Sequence, residues 1–300
     1  MKILTIIIGD HRGGQHAWDS LKKNLLLPLK SDLALIYETE GMVSNSLRTL
    51  AKYDWEVSYK FNWEEYFFKE YSSNIVKNFL IGSETSFAGG IKNNPGSGAR
   101  LFGFRDILLK KYIEIIENYD QIILTRSDFF YISKYPKLEN NYIWIPDGED
   151  YGGLQDGHNV FPSNLARDVF SICKNLEEDK FDLLNMRTVS PETILKEHFK
   201  FENLYKLVKR YERVQLSVAT KKDSSNWSNA KYKTFFFGNL LIKYPSQYLN
   251  IYAHNRAFRK SFKNKINYYF ILIQQYFFKK ISNILNFINY HIRKRIHIIS

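Results

Sequence analysis

An α/β fold is what this sequence predicts: a mixed, mostly parallel sheet flanked by helices, continued by a basic amphipathic helical C-terminal extension. Three observations carry the prediction. The chain opens strand–helix–strand, with apolar runs at Ile3–Ile8 and Asp32–Tyr37 on either side of a helical pattern. Further on, the apolar run Ile122–Leu124 stops abruptly at Arg126-Ser127-Asp128, as a buried strand does when it meets the carboxyl edge of a sheet. Beyond Asp223 every charged residue is basic, and the basic residues accompany apolar positions at three- and four-residue steps.

Each element follows from local pattern. Ile3–Ile8 ends at Gly9-Asp10-His11-Arg12-Gly13-Gly14, a strand running into a Gly-rich loop; Trp18, Leu21, Leu25 and Leu26 then recur at helical spacing until Pro28. Trp55–Phe61 alternates as a third, shorter strand, and the aperiodic stretch around Ser86–Pro95 reads as a surface loop. From Ala99 to Asn118, Leu101, Phe104, Leu108, Tyr112, Ile115 and Ile116 form one helix face, with Arg105, Lys110, Lys111 and Glu114 off it. Tyr142–Ile145 is a strand stopped by Pro146, Ser163 is placed to cap a helix reaching Cys173, and Pro191 stands at the first position of a helix after Ser190. Arg213–Ala219 is a late strand and Lys221–Ser228 a polar connector. From Phe262, one apolar stripe runs through Ile266, Phe270, Ile273, Phe277 and Ile281 to Ile296, bordered by Lys263, Lys279, Lys280, Arg293 and Lys294.

Composition narrows the class. The 300 residues, 44% hydrophobic, supply one substantial core. The single Cys173 excludes an intrachain disulfide framework and, in its apolar helical setting, reads as a small buried hydrophobe, which suits a reducing cytoplasm. Met1-Lys2 is followed by too short an apolar run for a signal peptide, and no segment is long enough to span a bilayer. The 13 basic residues after Asp223 exceed the net +12 of the whole chain, so residues 1–223 sum to −1. A near-neutral body with a cationic tail points to an anionic partner, a membrane surface before nucleic acid.

Two constellations carry chemistry. Asp128, at the carboxyl end of its strand, is suited to holding a divalent cation that in turn holds a diphosphate; the alternative is a carboxylate that caps the turn and pairs with Arg126. Arg126 itself offers a fixed fork of donors to phosphate. The second constellation is the loop Ile145-Pro146-Asp147-Gly148-Glu149-Asp150-Tyr151-Gly152-Gly153-Leu154-Gln155-Asp156-Gly157-His158, dense in carboxylates. Asp156, with Glu149 and Asp150 behind it, is suited to general-base work, or else Asp147-Gly148 and Asp156-Gly157 are ordinary turn dipeptides. Gly9, Arg12 and Gly13 either let a nucleotide approach the first strand's exit or merely make a tight turn.

With these residues in view, the chain resembles the GT-A glycosyltransferases, of the bacterial lipopolysaccharide or capsule kind. Arg126-Ser127-Asp128 looks like a degenerate Asp-x-Asp metal motif with Arg126 at its first position, and Gly152-Gly153-Leu154-Gln155-Asp156 like the Gly-Gly loop of several such families. The resemblance implies a GT-A-like domain over residues 1–255 followed by a helical tail at 256–300. It also implies a nucleotide-sugar donor bound by Gly9, Arg12, Gly13, Arg126 and Asp128, and a glycan or glycolipid acceptor at Gly152, Gly153 and His158. Asp128 and a late histidine, His254, become candidate ligands for Mn2+ or Mg2+. The expected reaction moves a monosaccharide onto a growing, lipid-linked surface glycan; the alternative is a non-catalytic sugar- or nucleotide-binding adaptor. The expected place is cytoplasmic, peripheral at the inner face of a membrane through the tail, with no nucleic acid.

Overall fold

The computed structural model describes residues 1–38, 44–57, 63–71, 98–181, 190–220, 223, 234–236, 240–254, 259–260, 264–266, 268–277 and 280–281. These form two compact units, Met1–Val218 and Ala219–Ser300.

The first unit is an α/β body. Seven strands, β1 (Ile3–Ile8), β2 (Asp32–Glu38), β3 (Tyr53–Val57), β4 (Gln121–Thr125), β6 (Ile143–Pro146), β7 (Asn159–Pro162) and β8 (Val208–Tyr211), make one sheet in the order β3-β2-β1-β4-β7-β6-β8. β3, β2, β1 and β4 are mutually parallel; β7 runs antiparallel to β4 and to β6, and β8 is parallel to β6. A separate antiparallel pair joins β5 (Phe129–Tyr131) to the start of β9 (Gln215–Thr220).

Both faces of the sheet are covered, which is why its strands read as unbroken apolar runs. Alternate residues Leu4, Ile6, Ile8, Ile122 and Leu124 join one core cluster, while Ile3, Ile7, Leu33, Leu35 and Ile123 join the other. The second cluster is covered by α1 (Gly14–Leu21), which continues as a π-turn over Lys22–Leu26 and a short helical segment Leu27–Leu29. Pro28 therefore sits within the helical stretch rather than stopping it. The first cluster is covered by α2 (Trp63–Glu70), α3 (Gly98–Ile107), α4 (Ala166–Phe170), α5 (Ile172–Glu177) and α6 (Pro191–Phe201). α3 continues through a π-turn at Leu108–Tyr112 to Ile116 and delivers the chain to β4.

Two local expectations need correction. Ser163 does not cap a helix: a 3-10 turn, Ser163–Leu165, starts there and its hydroxyl donates to the Tyr119 carbonyl, leaving Pro162 at the cap position. Arg105 is not on a solvent face: it is fully buried, because α3 packs on nearly all sides. Ser190 and Pro191 behave as expected, with a capping box in which Ser190 and Thr193 satisfy each other's backbone donors. Cys173 is buried, its thiol donating to the Phe102 carbonyl. The strand expected at Trp55–Phe61 is β3, ending at Val57; its last residues, the loop around Ser86–Pro95 and all of Lys221–Ser228 except Asp223 lie outside the described residues.

In the second unit, β10 (Thr234–Phe236) and β11 (Leu240–Ile242) form an antiparallel hairpin, followed by α7 (Pro245–His254). Residues 264–266 and 268–277 are helical; the expected stripe beyond Ile281 lies outside the described residues. Among the described residues, no helix is long and apolar enough to cross a membrane.

Candidate functional site

In this sheet β1 leads outward to β2 and β3 on one side, while β4 lies on its other side. The strand order reverses between β1 and β4, and in open α/β sheets the crevice beyond the carboxyl ends at such a reversal is where ligands bind. The Gly9–Gly14 loop leaves β1 and Arg126-Ser127-Asp128 leaves β4 at this crevice.

Backbone joins the two loops directly. Gly13 has φ +89°, and a Cβ there would fall 2.9 Å from the Asp128 Cα and 3.1 Å from the Ser127 carbonyl. Only glycine allows that approach. Ser127 completes the junction: its Oγ accepts from the Arg12 amide at 2.8 Å and donates to the Asp10 carbonyl at 2.9 Å. Trp18 Nε1 then holds the Arg12 carbonyl at 3.0 Å.

Across this junction the Arg126 guanidinium grips Asp128 with two parallel hydrogen bonds, Nε to Oδ1 at 2.9 Å and Nη2 to Oδ2. Burial works against the charge on Arg126, but Asp128, Asp156 and Glu149 outweigh it, so its pKa is raised and the group is a fixed cation. Gly157 lies against it, where a Cβ would stand 3.1 Å from the Arg126 Cδ. Asp156 is 8% exposed and acts on both Arg126 and Arg105 through its charge. Arg105 reaches the same loop from below, donating through Nη2 to the Asp156 carbonyl at 2.9 Å and to Asn159 Oδ1 at 2.8 Å. Burial lowers its pKa to about 10, which still leaves it protonated at neutral pH.

A divalent cation needs several oxygen ligands. Both Asp128 oxygens are already engaged by Arg126, and among the described residues no group of three His, Cys, Asp or Glu side chains is placed to hold a metal ion. The arrangement does not fit the expected Mn2+ or Mg2+; it puts a guanidinium where the cation was expected. His254 closes α7 in the second unit, and its side chain lies outside the described residues.

The carboxylate loop divides into parts. Arg213 clamps its start, donating to the Asp147 carbonyl at 2.8 Å, the Gly148 carbonyl at 2.8 Å and Glu149 Oε2 at 2.9 Å. Glu149 and Tyr151 on this loop have φ 60° and 42°, a strained region for side-chain-bearing residues. Asp150 is engaged by Arg210 at 2.8 Å and by the Gln155 amide. Gly152 has φ +86°, but Gly153 is a glycine for the sake of packing: a Cβ there would lie 1.9 Å from the Glu192 carbonyl at the start of α6.

His158 is fully buried, with Nε2 2.7 Å from the Tyr135 hydroxyl and Nδ1 2.9 Å from Thr125 Oγ1; burial and Arg213 lower its pKa to about 3. It braces β7 to β4.

Several groups at this edge escape sequence reasoning. His11 is buried, accepts from the Ser44 amide through Nδ1 at 2.9 Å, and is held neutral by burial with its pKa lowered to about 4. Glu38, at the end of β2, accepts from Arg100 Nε at 3.0 Å and Trp63 Nε1 at 2.8 Å. No period or dipeptide marks these contacts, because they join segments far apart in the chain. A cavity of about 450 Å³ lies at the opposite, amino-terminal edge of the strands, lined by Lys2, Lys30, Lys52, Asp32 and Tyr119 among others. Lys52, Asp32 and Tyr119 bond to one another there, and the reversal crevice has the better chemistry.

No protein-family model and no curated protein matches this chain.

Proposed function

We propose that the chain is a nucleotide-sugar-dependent glycosyltransferase of GT-A type, transferring a monosaccharide to a growing, lipid-linked surface glycan. The observation that supports it is the β1–β4 crevice, where the Gly13 loop abuts a strand end bearing a fixed guanidinium. In this reading the nucleotide enters over Gly9–Gly14, and Arg12 and Arg126 face the donor diphosphate. Asp128 is a positioning residue that fixes the Arg126 fork. The acceptor hydroxyl attacks the anomeric carbon as the carbon–oxygen bond to the diphosphate breaks. Asp156 takes the hydroxyl proton in an inverting transfer, and the arginines stabilise the negative charge gathering on the leaving diphosphate. The test is a screen of nucleotide sugars for hydrolysis, run in EDTA and again in manganese. The proposal expects turnover of at least one donor in EDTA; strict dependence on manganese would remove Arg126 from its role.

The two-pronged hold of Arg126 on Asp128 also favours a second reading, an adaptor that binds the nucleotide sugar without cleaving it. Saturable donor binding with no hydrolysis, with or without a glycan acceptor, would establish that reading instead.

A further inference from the structure

We infer that the C-terminal helix of the second unit is a surface that docks on an anionic lipid bilayer, lying in the plane of the headgroups. This goes beyond the transfer reaction and does not depend on it. The helix has two faces with different fates. At 3.6 residues per turn, 264, 268 and 271 share one side, and 266, 270, 273 and 277 the other. The first side is held by α7: the Tyr248 hydroxyl donates to the Asn264 carbonyl at 3.0 Å, Tyr268 stacks on Tyr252 at 4.2 Å, and Ile271 is buried. The second side is open. Ile266, Phe270, Ile273, Phe277 and Ile281 are each about half exposed, 46–59%, with Tyr269 and Tyr276 alongside at 53% and 66%.

Seven exposed apolar and aromatic side chains grouped together exceed the scattered exposed hydrophobics of an ordinary surface. What covers them is indicated by charge. Lys265 and Lys280 are exposed on this helix and Arg259 and Lys260 are exposed just before it, in a stretch of sequence that holds no acidic residue after Asp223. A second copy of the chain would bring an equally cationic partner against this face, whereas an acidic lipid surface supplies both an apolar layer and opposite charge. Tyrosines at the flank suit the headgroup boundary, where an apolar body and a polar tip are both satisfied.

The experiment uses the full chain with vesicles of phosphatidylcholine alone or mixed with phosphatidylglycerol. The expected result is sedimentation with the mixed vesicles, weaker by about tenfold or more on neutral ones and falling as salt is raised, since each basic residue near an acidic surface is worth about 1 kcal/mol, or roughly fivefold. The variant Phe270→Glu/Ile273→Glu/Phe277→Glu is expected to lose vesicle binding with an unchanged melting temperature, because those side chains are outward. Three results would overturn the inference: no binding to acidic vesicles, binding indifferent to salt, or a dimer of the native chain that the triple variant converts to monomer. A collapsed melt in the triple variant would also overturn it, by showing the stripe to be core. Donor hydrolysis is a separate assay, so failure of the transferase proposal leaves this outcome readable.

Discussion

Arg126 and Asp128 hold each other by two hydrogen bonds, and their removal has unequal consequences. The Asp128 side chain is 2% exposed and that of Arg126 20%, so Asp128→Ala strands a guanidinium that is mostly out of water. Breaking a buried pair costs about 3–5 kcal/mol, less here for the partial exposure of Arg126. Asp128→Ala is therefore expected to lose donor turnover and several degrees of melting temperature together, while Arg126→Lys keeps the charge, loses the fork and lowers donor affinity with a small change in melt. A thermal scan beside donor titration separates the two. For Asp156→Asn, the amide keeps the size and shape of the side chain but takes no proton, so kcat should fall by about 10²-fold or more with KM little changed; equal losses in both would make Asp156 a donor contact. Three histidines set a pH dependence. His11, His158 and His198 are buried, with pKa values lowered to about 4, 3 and 3 against an ordinary 6.5. Between those values the unfolded chain binds protons that the folded chain refuses, so stability is full above 6.5 and drains as pH falls towards 4. Melting temperature should decline progressively from pH 7 to pH 4.5; a flat profile would show that these rings are protonated in the fold. Arg126 and Asp128 were legible as residues because a charge pair ending an apolar strand is a local signal. Their pairing was an open alternative, and Arg105 was misplaced, because burial on the back of a helix depends on what packs there.

The glycines distinguish turns that serve the crevice from turns that serve packing. Gly13→Ala would set a Cβ 2.9 Å from the Asp128 Cα in a left-handed backbone, and Gly153→Ala one 1.9 Å from the Glu192 carbonyl. Both should destabilise. Donor binding per folded molecule should suffer from Gly13→Ala far more than from Gly153→Ala, as measured by calorimetry on the soluble fraction. An equal loss would place Gly153 beside the donor. Element by element, the apolar strands β1, β2 and β4 and the capped helix α6 were readable, since each is announced by its own residues. β5 and β7 were not: three or four residues beside turn signals have too little pattern, and only pairing with β9 and β4 makes them strands. The same limit hid His158, whose loop-like neighbours give no sign that β7 is interior, and hid the Arg213 clamp on Asp147–Glu149, which joins residues more than sixty apart.

At the scale of the molecule, an α/β unit places a reversal crevice between β1 and β4, and a second unit carries an exposed, cation-bordered helix face. The near-neutral body and the basic tail were visible in the charge count alone. In the proposed function the crevice binds a nucleotide sugar through Arg126 without a divalent cation. Calorimetric titration of the full chain with a panel of nucleotide sugars in EDTA, repeated on Arg126→Gln, tests it most directly. The expected result is saturable binding of at least one donor by the native chain, weakened about tenfold or more in a variant that still folds, since a charge-assisted bond to phosphate is worth about 1.5–3 kcal/mol. Equal affinity in both proteins, or binding that appears only on adding manganese, would contradict it.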